Sequence, residues 1–215
     1  MKSERMKWEG KGEVHAELDQ DGADDRGDGV RRKKSRRPYL YLDTNVILDI
    51  IRNRRVASTI LLDKIKNGKF DACTSYFTLL EVTDQEQEYK FFWKMLEKGY
   101  SLDKILRTRF HRELTKQDLK EVTEKIDTIF WKPFKDVIGF YYLEKDGWDR
   151  AWGLMEDTSI RANDLIHLAT ALSQKCDLFV TSDNDLLNAI RKKIPACTPE
   201  KVEQKLKSLG FKISS

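Results

Sequence analysis

The chain has 215 residues, 40% of them hydrophobic, a length that suits one compact domain with a full core and no covalent staple. Lys plus Arg number 40 against 36 Asp plus Glu, a formal charge of +4, and the two signs are so mixed that the total alone names no polyanionic partner. Cys73, Cys176 and Cys197 have neither CxxC nor Cys/His spacing, which excludes a disulfide framework and a recognisable zinc site. Free buried thiols in a reducing cytosol are the expectation. Apolar stretches such as residues 46–48 and 77–80 fall far short of a bilayer span, and no apolar leader opens the chain, so we expect a cytoplasmic protein without a membrane partner.

Residues 1–37 hold few large apolar side chains and no sustained period, too little to offset the entropy of ordering. They are expected to form a charged, disordered tail ahead of a domain over residues 38–215. Residues 1–30 carry 5 basic and 9 acidic side chains, whereas residues 31–37 read RRKKSRR. Arg31, Arg32, Lys33, Lys34, Arg36 and Arg37 either contact an RNA backbone through counterion release or form a solvated basic linker.

From Pro38 onward, short β-rich runs alternate with segments of helical period, which argues for an α/β fold with a parallel sheet. A strand is expected at 39–42, helices at 45–52 and 56–66 closed by Asn67-Gly68, and a second strand at 70–74. Ser75 is placed to cap a helix running to Lys98-Gly99. Helices are expected at 102–114 and 117–131, a strand at 137–143, and helices at 148–156 and 164–174. The run 178–181 suits a buried parallel strand. A helix at 184–192, a short strand near 195–197 and a closing helix announced by Thr198-Pro199-Glu200 complete the order.

In such a sheet, ligands gather beyond the carboxyl ends of the strands, and there this sequence is acidic. Asp43 ends the first strand, Asp183 follows the strand at 178–181, Asp164 opens the helix before that strand, and Glu81 interrupts an apolar run in the helix after the second strand. Each has an ordinary alternative: Asp43, Asp164 and Asp183 can favour helix N-termini, and Glu81 can lie on a solvated face. Together at one edge, four carboxylates repel one another unless a cation compensates. Oxygen donors without Cys or His partners select hard ions, hence Mg2+ or Mn2+.

The segments LDTNV (42–46), SYFTLLEV (75–82), NDLIHLATAL (163–172) and VTSDND (180–185) resemble, in that order, the motifs of the PIN domain nucleases, and most of all the VapC-type toxins and related archaeal PIN proteins. The resemblance covers residues 39 to 209. It implies an α/β/α sandwich around a central parallel sheet, with a helical insertion between Glu81 and Asp164. It also implies that Asp43, Glu81, Asp164 and Asp183 bind one or two divalent ions and hydrolyse the phosphodiester bonds of RNA, with Asp185 as an additional metal position and Asn45 orienting the first aspartate. As a VapC-like toxin the chain would have an antitoxin protein as partner, and self-association into a homo-oligomer is expected as well.

His167 lies one turn after Asp164 on a similar helix face, where it contacts either a phosphate or the acidic cluster, unless it is structural. Aromatic residues Tyr89, Phe91, Phe92, Trp93, Trp131, Tyr141, Tyr142, Trp148 and Trp152 fill the region after Glu81. They serve either core and dimer packing or the stacking of unpaired bases. No GxxxxGK[ST], GxGxxG or GxSxG occurs, so those nucleotide loops and a serine nucleophile have no support. A haloacid-dehalogenase-like phosphatase needs a second aspartate where Asn45 stands. A non-cleaving RNA-binding or scaffold module is the alternative to an enzyme.

Overall fold

In the computed structural model, residues 36–157 and 160–213 are described; most of the expected tail lies outside them. Five strands, β1 (Tyr39–Leu42), β2 (Asp71–Ser75), β3 (Gly139–Tyr141), β4 (Leu178–Val180) and β5 (Ala196–Cys197), form one sheet in the order β3-β2-β1-β4-β5. Every pairing is parallel; Tyr41 aligns with Cys73 on one side and Phe179 on the other.

The alternation of the central strands decides the layers. Leu40 and Leu42 of β1, Ala72 of β2 and Leu178 and Val180 of β4 enter one buried cluster, while Tyr41, Cys73 and Phe179 enter another. Successive side chains of a strand point to opposite faces, so both faces carry core, and α-helices cover both. The first cluster is closed by α1 (Thr44–Ile51), α2 (Val56–Lys66), α3 (Tyr76–Glu97), α5 (Lys116–Ile126) and α10 (Val202–Ser208). The second is closed by α7 (Lys145–Asp157), α8 (Ala162–Ser173) and α9 (Asn184–Ile190). The expected α/β/α sandwich is the observed architecture.

Local sequence explains most boundaries. Ser75 Oγ accepts from Phe77 N–H at 3.0 Å and starts α3, and Gly68 and Gly99 take positive φ just beyond α2 and α3, the conformation that ends a helix at little cost for glycine. The insertion between Glu81 and Asp164 holds α4 (Leu102–Thr108), α5, a π-turn at Asp127–Trp131, the short α6 (Lys132–Phe134), β3 and α7. Two expected helices are shorter than their apolar period suggested. The one from 102 stops at Thr108, and the one over 117–131 widens at Asp127. Pro133 lacks an N–H and its ring crowds the carbonyl four residues back, which accounts for the irregular turn before it. The strand expected at 137–143 contracts to Gly139–Tyr141, because this edge strand pairs with β2 over only three residues.

All three cysteines are buried and free. Cys73 and Cys176 bring their sulfurs within 3.5 Å of each other, a proximity their separation in sequence gave no sign of. Among the described residues, no helix is long and apolar enough to cross a membrane.

Candidate active site

The strand order fixes where a site can form. From β1 the chain turns to α1 on one face, and from β4 it turns to α9 on the other, so a crevice opens where neighbouring strands send their connections apart. Asp43 stands at the end of β1 and Thr181, Ser182 and Asp183 at the end of β4. Asp43 N–H donates to the Val180 carbonyl at 3.0 Å, which ties the two strand ends together.

Asp43 is 3% exposed and both its carboxylate oxygens are engaged. Oδ1 accepts from Thr44 N–H at 2.8 Å; Oδ2 accepts from the Thr181 hydroxyl at 2.6 Å and from Asn45 Nδ2 at 3.2 Å. Asn45 thus donates to the Asp43 carboxylate. Burial pushes the Asp43 carboxyl above the usual carboxylate range; the Glu81 charge adds to this, and His167, Thr181 and the Thr44 N–H oppose it.

Glu81 projects from α3 toward a buried imidazole. His167 Nε2 lies 2.8 Å from Glu81 Oε2, and the Thr44 hydroxyl donates to the same oxygen. Burial alone would raise Glu81, but the His167 bond and charge, with bonds from Thr44 and Asn163, outweigh it and hold its carboxyl below the ordinary value. His167 is 1% exposed. Burial would lower its pKa, yet the bond to Glu81 and the charges of Asp43, Glu81 and Asp164 raise it. Its Nδ1 meets the Tyr41 hydroxyl at 2.7 Å, and burial keeps that phenol protonated. His167 thus contacts the acidic cluster through Glu81.

Asp164 sits in the first turn of α8. Burial raises its carboxyl, and so do the charges of Asp43, Asp183 and Glu81, with His167 opposing. The four acids thus share one electrostatic field. Asp183 also caps α9, with Oδ1 accepting from Asp185 N–H at 2.8 Å and Leu186 N–H at 3.1 Å; Asp43 and Asp183 combine the capping role with membership of the group. Asp185 is exposed and enters the arrangement through its backbone N–H.

Among the described residues, no lysine or arginine forms an ion pair with Asp43, Glu81, Asp164 or Asp183. Nor do three His, Cys, Asp or Glu side chains there form a ready-made ligand group: Glu81 is turned toward His167 and Thr44, and one oxygen of Asp183 toward the α9 amides. The side chains that the four acids offer are oxygen donors, and the carboxyls of Asp43 and Asp164 are raised first of all by burial and further by neighbouring carboxylates.

Sequence reasoning did not single out Tyr41, Thr44, Thr181 or Asn163. Thr44 and Thr181 flank Asp43 and Asp183 within the motifs, which was the available signal; Tyr41 gave none. The basic run is divided. Residues 31–35 lie outside the described residues. Arg36 pairs with Asp177 at 2.8 Å and Arg37 with Asp71 at 3.2 Å, at the amino-terminal ends of β4 and β2, the sheet edge opposite the acids. Of the aromatic residues, Phe91 is buried, Trp131 packs against Phe130 and Phe140, and Trp93, Tyr142, Trp148 and Trp152 are exposed.

The model of the PIN domain matches residues 40–193. The chain belongs to the PIN domain family. Solved structures similar to this PIN chain include FitAcB from Neisseria gonorrhoeae, at 16% identity and TM-score 0.46, covering 75% of this chain and 98% of that one. VapBC2 from Rickettsia felis, bound to a DNA fragment from its promoter, shows 11% identity, TM-score 0.45 and coverage of 74% and 98%. VapBC-1 from nontypeable Haemophilus influenzae shows 14% identity, TM-score 0.45 and coverage of 76% and 99%. Among curated proteins, no sequence match was found.

Proposed function

We propose that this PIN domain protein is a divalent-metal-dependent endoribonuclease that hydrolyses phosphodiester bonds of single-stranded RNA. The observation that supports this most is a group of four acids, of which Asp43 and Asp164 are raised by burial and further by neighbouring carboxylates, with no lysine or arginine paired to any of the four among the described residues. Asp43, Asp164 and Asp183 would hold a magnesium or manganese ion, with Glu81 completing the set and Asp185 at its margin. When bound, the ion supplies an acidified water and a polarised phosphate.

The chain's own residues prepare that chemistry. Thr181 and Asn45 fix the Asp43 carboxylate in a single orientation. His167 and Thr44 keep Glu81 ionised, so that it accepts a hydrogen bond from the attacking water and orients it. Tyr41 fixes the ring of His167 through Nδ1 and leaves Nε2 for Glu81.

The test uses the full chain and its Asp183→Asn variant on a mixed-sequence single-stranded RNA with manganese, magnesium or chelator. The parent should cleave with either metal and not in chelator. Manganese should also raise its melting temperature, since an ion at 100 times its Kd adds about 2.7 kcal/mol; the variant should lose most of both effects. Equal cleavage in chelator would overturn the metal mechanism. Metal and RNA binding without cleavage would favour a non-cleaving module instead.

The VapC resemblance extends the proposal to a toxin held by an antitoxin protein, tested by whether the product of a neighbouring gene co-purifies with the chain and suppresses cleavage. Self-association is part of the same reading. Trp148, Trp152 and Met155 of α7 are 53%, 70% and 47% exposed at helical spacing, and light scattering should report a multiple of the 25.2 kDa chain mass.

A further inference from the structure

Beside the four acids lies an open cleft of about 380 Å³ lined by Asn45, Asp49, Arg54, Arg55, Ser182 and Asp183. Two of its residues belong to the site already described: Asp183 is one of the acids, and Asn45 bonds Asp43. The opposite wall is built on Asp49. This carboxylate is buried, accepts from the Ser182 hydroxyl at 2.7 Å, and pairs with Arg54 at 3.2 Å and Arg55 at 3.9 Å. Arg55 also reaches Glu200 at 3.5 Å. Two adjacent guanidinium groups are thus held in place on a buried anchor, one wall away from the acids.

These pairings leave donors over. A guanidinium carries five N–H donors in a rigid fork, and Arg55 Nη1 is buried with no hydrogen-bond partner among the described residues. That atom is closed to a ligand, but the Arg54 and Arg55 side chains stay 47% and 36% exposed, and the acceptor that suits their open donors best is an anionic oxygen approached along the fork, as in a phosphate. Asp49 and Glu200 already balance the two arginines, and Asp183 is the remaining carboxylate of the cleft. Recognition there would therefore rest on directed donors more than on net charge. Asn45 and the Ser182 hydroxyl add polar groups along the floor.

We propose that Arg54 and Arg55 form a subsite for a non-scissile phosphate of the RNA strand, gripping the backbone next to the bond presented to Asp43, Glu81, Asp164 and Asp183. The inference rests on the ribonuclease reading for the identity of the strand. It adds which residues hold the strand and on which side of the carboxylates it runs. Phosphate contacts position a nucleic acid without reading its sequence, so this subsite sets affinity and register and leaves base preference to other groups.

The test compares the full-length parent with Arg54→Gln, Arg55→Gln and Arg55→Lys. A labelled mixed-sequence single-stranded RNA oligonucleotide is titrated in calcium across a range of salt, and cleavage is followed in manganese. Each glutamine change should raise Kd and KM about 10-fold, the loss of one charge-assisted contact, and reduce the slope of log K against log salt by about 1. The loss should fall on KM more than on kcat, and Arg55→Lys should recover part of it.

If Arg55→Gln does not fold, by circular dichroism and melting, the more exposed Arg54→Gln carries the comparison. Unchanged Kd, KM and salt slope in folded variants of a cleaving parent would overturn the subsite and leave the nuclease standing. A parent that binds RNA through these arginines without cleaving it would leave the subsite standing and remove the nuclease. A parent that neither binds nor cleaves RNA would end both.

Discussion

Glu81 and Glu86 stand five residues apart on α3, and their partners differ in kind. Glu86 is 3% exposed and held by two cations, Arg52 at 3.3 Å and Lys125 at 2.5 Å. Glu81 has hydroxyl, amide and imidazole partners and, among the described residues, no lysine or arginine. The same contrast separates Asp118, whose carboxyl is pulled far below the usual range, first of all by Lys94, from Asp43 and Asp164, which are pushed above it. Where an acid serves the fold, the chain supplies the opposite charge. Where acids gather at the ends of β1 and β4, their partners among the described residues are hydroxyl, amide and imidazole groups, and the proposed reading assigns the remaining charge to a bound cation.

The largest expected effect breaks the second class. Asp43→Asn keeps the shape and the Thr44 N–H cap through Oδ1 but removes the charge, and its Nδ2 obliges the Thr181 hydroxyl to accept and the Asn45 amide to turn its oxygen inward. Cleavage should fall by more than about 100-fold, beyond what the loss of a merely supporting partner costs. The melting temperature in metal-free buffer should hold or rise, because an ionised group that burial and Glu81 both disfavour has been removed. Folding monitored by circular dichroism, beside cleavage with manganese, separates the two roles; a folded and fully active variant would place Asp43 with Glu86 among the structural acids.

The converse change breaks the first class. Arg52→Met removes one of two cations from a buried carboxylate while Lys125 remains, so the cost should be about 2 kcal/mol, below that of a buried carboxylate left with no cation. Denaturant unfolding should show that loss, while cleavage per folded molecule stays near the parent's. Were Arg52→Met to abolish cleavage without destabilising the protein, Glu86 would belong to the site and the division would fail.

Much of this division is legible in the sequence. The runs at β1 and β4 are apolar throughout because both faces of a central parallel strand are buried, and an aspartate following each run is visible at once. Ser75 announced α3, and Glu81 broke an apolar run in its second turn. Less was legible where distant segments decide. Tyr41, Thr44 and His167 meet because β1 pairs with β4 and α8 packs over Tyr41; no spacing within the chain encodes that. Leu114 continues an apolar rhythm past the end of α4, whereas Arg112 turns back to Asp84 at 2.8 Å. The start of α5 carried a readable signal, Thr115 with Asp118 three residues later, which forms a capping box.

The orienting partners should have intermediate effects. Thr181→Val removes the hydroxyl on Asp43 Oδ2 and leaves the carboxylate, and His167→Gln removes the ring shared by Glu81 and Tyr41. Each should lower cleavage by about 10-fold, as losses of supporting partners do, and higher manganese should restore part of the Thr181→Val loss. An unrestored loss as large as that of Asp43→Asn would move Thr181 from orienting the carboxylate to the reaction itself.

The smallest expected effect concerns the edge opposite the acids. Arg36 and Arg37 there are already paired with Asp177 and Asp71, and Arg37 and Asp71 are 60% and 45% exposed, so the Arg37 pair contributes at most about 1 kcal/mol. Arg37→Gln should barely move the melting temperature, and Arg36→Gln somewhat more, because the Asp177 side chain is 4% exposed. The proposed RNA contact of the basic run then falls mainly on Arg31, Arg32, Lys33 and Lys34. Replacing those four with serine should weaken RNA binding several-fold near 50 mM salt and hardly at all near 300 mM, since counterion release fades as salt rises. Stability should not change. Binding unaltered at both salts would make the run a linker, with Arg36 and Arg37 as its anchor on the sheet; a loss that persists at high salt would instead indicate contacts beyond phosphate charge, and would bring this edge closer to the acidic one in function than its paired arginines suggest.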